Sequence, residues 1–99
     1  MKYVMTMESV PNFGPLADKY FKAHLAYLKD FHERGLVLLM GPFQEPYNGE
    51  ALGVFPSREA AEEFVAGDPF VLNGVIKSYT IRPWQENLAP DPAPGHPTT

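Results

Sequence analysis

Cysteine is absent from the 99-residue sequence. That excludes disulfides, thiolate nucleophiles and cysteine-based zinc sites. Positive charge is scarce: eight Lys and Arg stand against twelve Asp and Glu, giving a formal net charge of −4. The basic residues form no block, whereas nucleic acids and anionic membranes are recognised by clustered positive charge, so neither is expected as a partner. No run approaches the roughly 20 apolar residues that span a bilayer, and Met1 to Met7 has neither the length nor the cleavage site of a signal peptide. The cytoplasm is the expected location. No glycine-rich phosphate loop is present, and Ser57 has no general base at hand to make it a nucleophile. Chemistry is left to His, Asp, Glu, Tyr, Lys or a bound group.

What is present fits one domain. A chain this short hides only about 60–70% of its unfolded surface, so its core is thin unless something covers it. The ordered part is expected over residues 1–84. Residues 85–99, with Pro90, Pro92, Pro94 and Pro97 and little apolar surface, read as a flexible tail.

Lys2 to Glu8 reads as a strand, closed by Pro11, Gly14 and Pro15. A helix follows from about Leu16 to Arg34, with Pro15 tolerated at its first turn and Gly35 stopping it. Leu36 to Phe43 and Ala51 to Phe55 read as two strands of a hairpin, joined through Asn48-Gly49. Ser57 is an expected N-cap for a helix ending at Gly67, Asp68-Pro69-Phe70 opens a short turn, and Val75 to Trp84 is the last strand. The order βαββαβ predicts an α+β, ferredoxin-like domain: an antiparallel sheet with two helices on one face. Tyr3-Val4-Met5 and Leu36 to Met40 are apolar on both parities, although a half-exposed sheet should alternate. A second copy packed sheet to sheet would cover the other face, predicting a homodimer of the dimeric α+β barrel type.

On the first helix, Leu16, Tyr20, His24, Tyr27, Leu28 and Phe31 share one half of the wheel, and Asp18, Lys22, Lys29 and Glu33 the other. His24 lies near the middle of the apolar half. It is either a core histidine satisfied by a backbone carbonyl or a proton-transfer group lining a cavity, and the second role needs a carboxylate partner. Asp68 is the natural candidate, held extended by the proline that follows, although it also suits the N-cap of the next turn. Tyr3, Met5, Tyr20 and Tyr79 are either core or an apolar, hydroxyl-tipped lining for a small aromatic ligand. Gly41-Pro42 is either a strand stop or pocket wall. His32 sits at the edge of the apolar arc and His96 in the tail; with no acidic residue at ligand spacing, no metal site is expected.

Ala23-His24-Leu25 with Leu28, Gly35-Leu36 followed by Met40-Gly41-Pro42-Phe43, and Asp68-Pro69-Phe70 with Gly74 together resemble the YciI-like (YCII-related) family. The resemblance spans Met1 to Trp84. It implies a ferredoxin-like fold, a dimeric α+β barrel, and His24 and Asp68 as the pair at the active site, with Gly41 and Pro42 in the pocket wall. Members often carry a basic residue three positions before the histidine; here that position holds Phe21. One branch of the family is associated with loss of HCl from a chlorinated hydroxyquinone. The implied activity is a cofactor-independent lyase or isomerase acting on a small, cyclic or aromatic metabolite, with His24 as acid/base and Asp68 orienting it. The alternatives are a non-catalytic module holding a small ligand, and a muconolactone-isomerase-like or monooxygenase-like enzyme of the same wider group.

Overall fold

The structure, a computed structural model, describes residues 1–87. The chain order is β1 (Lys2–Ser9), α1 (Phe13–Glu33), β2 (Leu39–Pro42), β3 (Glu50–Phe55), α2 (Arg58–Gly67), the single turn α3 (Pro69–Leu72) and β4 (Ile76–Trp84). The strands form one antiparallel sheet in the order β2-β3-β1-β4. This is the predicted ferredoxin-like α+β arrangement. Of the expected tail, Gln85 to Asn87 carry no regular structure, and the rest of that expectation lies outside the described residues.

Element boundaries depart most from the sequence reading at the start of α1 and in β2, and by one residue at the end of β1 and of α1 and at the start of β3 and of β4. Helix α1 begins at Phe13, three residues early, because Gly14 and Pro15 fall in the first turn, where backbone N–H groups have no helical partner. Phe13 is held there by an edge-on contact with Tyr47, ring centroids 5.4 Å apart. Strand β2 is only four residues long. Gly35, at φ +74°, turns the chain out of α1, and its N–H and that of Leu36 close onto His32 and Phe31 carbonyls. Leu36 to Leu38 are spent on the descent to the sheet, with Val37 buried beneath it. The unbroken apolar run thus records a buried connection followed by a short edge strand. The chain from Val75 reaches strand pairing one residue later than expected, at Ile76.

Strand alternation then decides the core. Met5 and Met7 face the helices and pack with Phe31, Phe55, Phe64, Ala60 and Ala61, and Met40 and Ile81 pack against that cluster. Met5, Phe55 and Phe64 are fully buried. The opposite face carries the row Leu39, Val54, Val4 and Arg82 and, one row on, Leu52, Thr6 and Thr80. No helix among the described residues is long and apolar enough to cross a membrane.

The end of α2 is tied to α1 through Tyr27, whose hydroxyl donates to the Glu63 and Phe64 carbonyls, each at 3.1 Å. A Cβ on Gly67 would stand 2.5 Å from that hydroxyl oxygen. Replacing a helical glycine with alanine ordinarily stabilises by up to about 1 kcal/mol. Here the sign reverses: Gly67→Ala is expected to cost about 1–3 kcal/mol, seen as a lowered urea midpoint, and Tyr27→Phe combined with it should recover part of the loss. Phe64→Ala, which empties the centre of the aromatic cluster, is expected to cost about 3–5 kcal/mol in the same assay.

Candidate active site

Asp68 sits where two helices meet. Its N–H closes α2 onto the Phe64 carbonyl at 2.9 Å, and its extended backbone (φ −63°, ψ 121°) is the one that a following proline favours. Its carboxylate opens α3: Oδ1 accepts from the Phe70 N–H at 3.2 Å, with Pro69 at the first helical position. Its side chain is 1% exposed.

His24 reaches it from the middle of α1. Nδ1 lies 2.7 Å from Asp68 Oδ1. A carboxylate offers only lone pairs, so Nδ1–H is the donor and the lone pair of the neutral ring sits on Nε2. The ring is stacked on Phe70, centroids 3.9 Å apart and planes within 2°, and meets the edge of Phe64 at 6.5 Å. Two aromatics and one carboxylate therefore define its orientation. Nε2 has no protein partner among the described residues, and it is not sealed, since Asp68 Oδ2 is the sole buried side-chain polar atom there without a hydrogen bond. Tyr27, one helical turn beyond His24, keeps a hydroxyl whose pKa is raised above the usual tyrosine value by burial and then by the negative charge of Asp68.

Beside this pair lies a cavity of about 470 Å³, within the usual range of roughly 300–1,000 Å³ for small-molecule sites. Helix α1 gives it one stripe, Phe13, Ala17, Phe21, His24 and Leu28, at the three- and four-residue spacing of a helix face. The sheet gives Met7, Ala51, Met40, Gly41 and Pro42, and Asp68, Phe70 and Val75 close the inner end. Phe21 and Leu25 are half exposed at its wall, and Tyr47 is 58% exposed. Among the described residues, no three His, Asp or Glu side chains converge as a metal-binding set.

The structure brings His24, Asp68, Gly41 and Pro42 to this one cavity and leaves Tyr3, Met5 and Tyr79 out of it. Tyr3 and Met5 are on the right face of β1 but toward the wrong end: the cavity opens at Met7 and Ser9, whereas Tyr3 pairs with Phe55 and lies under the Arg58 guanidinium, and Met5 is sealed in the core. Tyr79 shares a row with Met7 but sits on the edge strand, 46% exposed, beside a separate depression of about 220 Å³ bordered by Thr6, Glu8, Ser78 and Thr80. Tyr20 does not line the cavity either, because the lining stripe runs along the Phe21 and Leu25 side of the helix. Phe70, Phe13 and Tyr47 are wall residues that sequence reasoning did not single out, and Phe21, noted there only as the residue three before His24, joins them. The i, i+4, i+8 series Phe13, Ala17, Phe21 carried the signal for two of them.

Solved structures share the fold, two of them as follows. One is 5-chloro-2-hydroxyhydroquinone dehydrochlorinase (TftG) from Burkholderia phenoliruptrix AC1100 in complex with 2,5-dihydroxybenzoquinone, at TM-score 0.72 and 19% identity over 88% of this chain and 96% of that one. The other, a protein from Agrobacterium tumefaciens, matches at TM-score 0.55 and 12% identity over the whole of both chains. At these identities the likeness is one of fold. No curated protein sequence matches the chain. The YCII-related domain matches residues 1–85, every strand and helix described above, and the chain therefore belongs to the YCII-related family.

Proposed function

We propose that this protein is a cofactor-independent enzyme of lyase or isomerase type, with His24 as its acid/base and Asp68 as the residue that orients it. The observation that carries the reading is the 2.7 Å contact between Nδ1 and a buried carboxylate at the wall of an open cavity, which leaves Nε2 as an unpartnered lone pair. That lone pair forms an N–H bond as an acidic C–H or O–H bond of the ligand breaks. The freed electron pair forms a double bond and expels an anionic leaving group, the proton passing from the imidazolium to water. In an isomerisation the imidazolium returns the proton to a different atom instead. Asp68 stabilises the imidazolium in either case. The flat stack of Phe70 on His24 and the apolar wall of Gly41, Pro42, Met40 and Leu28 suit a small ring-shaped metabolite. The named activity of the dehydrochlorinase that shares the fold is an elimination from a hydroxylated ring, which is the same class of step.

The reading includes a homodimer packed through the open sheet face. Its support is the apolar row Leu39, Val54 and Val4 on that face, in which Leu39 is 69% exposed and Val4 partly exposed beside the buried Val54. Packing two sheets about 10 Å apart would bury it.

The catalytic reading is tested with 5-chloro-2-hydroxyhydroquinone, following chloride release. His24→Ala is expected to lower kcat/KM about 100-fold or more, the usual contribution of a general base, and Asp68→Asn to lower it by about tenfold or more through the lost tautomer control. Calorimetric binding should survive in both. A wild-type protein that binds this compound and releases no chloride above the uncatalysed rate would instead be a holding module. For the dimer, sedimentation at micromolar concentration should give twice the chain mass of 11.1 kDa, and Leu39→Asp should give the single-chain mass. An 11.1 kDa species from the unsubstituted protein would contradict it.

A further inference from the structure

We infer that the cavity beside His24 takes an uncharged, ring-sized molecule bearing hydroxyl groups and turns away carboxylates and phosphates; the inference rests on reading this cavity as the substrate site. The side chains that bring formal charge to its wall are Asp18, Glu50 and Asp68, all carboxylates. None of the eight Lys and Arg lines it, although all eight fall within the described residues. Several of them are engaged elsewhere: Lys2 with Glu86, Lys77 with Glu8 at 3.5 Å and Arg34 with Asp30 at 3.0 Å. Arg58 stacks over Tyr3 and Lys19 over Tyr20. Residues 88–99 contain no Lys or Arg, so the rest of the sequence cannot bring one in.

Position 21 shows how this selectivity is built. Phe21 precedes His24 by three residues, one turn along the same stripe, and it lines the cavity while remaining half exposed. A cation there would stand over any anionic group placed against His24. The neighbouring Lys22 is not part of the wall. At the inner end, Asp68 Oδ2 is a buried acceptor with no hydrogen-bond donor among the described residues. His24 Nε2, unpartnered and not sealed, accepts from a ligand hydroxyl, whereas a carboxylate or phosphate would bring more lone pairs and a like charge beside the Asp68 carboxylate.

Isothermal titration with two isosteric probes decides the matter: 4-hydroxybenzyl alcohol, uncharged, and 4-hydroxybenzoate, an anion of nearly the same shape. The wild-type protein is expected to bind the alcohol at least about tenfold more tightly than the benzoate, the scale of one like-charge contact near a protein surface. Phe21→Arg should raise benzoate affinity by about tenfold or more and leave the alcohol much less affected. Equal or tighter binding of benzoate by the wild type overturns the inference, and so does failure of both probes to bind. A Phe21→Arg variant that still refuses benzoate also overturns it. The catalytic reading stands apart from these results: the expected selectivity without any proton transfer would remove the enzyme and keep the charge preference. Wild-type turnover of an anionic substrate would keep the enzyme and remove the preference.

Discussion

One buried carboxylate organises the cavity end of this molecule. Asp68 ends α2, begins α3 and fixes the imidazole of α1, so three helices converge on a side chain that is 1% exposed. A charge so deeply placed is tolerated only when donors surround it. Here the Phe70 N–H and the His24 Nδ1–H both point at Oδ1, and Oδ2 is left buried without a donor among the described residues. The geometry that satisfies one oxygen also exposes the imidazole lone pair. The cap of two helices and the proposed orientation of the imidazole thus coincide in one residue, and a substitution at Asp68 touches both.

The fold places this cluster economically. Strand alternation turns Met5 and Met7 toward the helices, and the aromatic group Tyr27, Phe31, Phe55 and Phe64 fills the space over the middle of the sheet. Toward the Ser9 end of β1 the filling changes. Phe13, Phe21 and Tyr47 stand around an opening, and small or ring-shaped residues (Gly41, Pro42, Gly49 and Ala51) line the strand side. Gly49 belongs there for a steric reason: at φ +89° its backbone suits glycine, and a Cβ would come within 2.8 Å of Ser9 Cβ. Packing is therefore dense at one end of the helix layer and open at the other, and His24 lies at the border between them.

Much of this was legible in the chain itself. Element order followed from hydrophobic periodicity and from Gly and Pro punctuation, and the face of α1 carrying His24 followed from 3.6-residue spacing. Asp68-Pro69 was readable as a cap because few other residues suit both an extended pre-proline backbone and a helix start. Periodicity assigns a face and says nothing of which end of that face is open. Tyr3 and Met5 lie on the correct side of β1 and outside the cavity for that reason. The short β2 was hidden because a buried connection and a buried strand have the same composition, as Leu36 to Leu38 illustrate. Phe70 was the largest omission, since stacking on His24 depends on how α3 folds back and on no local spacing.

The account stands on the protonation pattern of one ring. With Asp68 accepting from Nδ1, the neutral imidazole of His24 must carry its lone pair on Nε2, facing the cavity. Nitrogen-15 NMR of the histidine side chains reads this directly through two-bond couplings to the ring protons. The predicted spectrum assigns His24 to the Nδ1–H tautomer, with a downfield Nδ1 proton that is lost in Asp68→Asn. An Nε2–H tautomer in the unsubstituted protein, unaltered by that substitution, would contradict the account at its root.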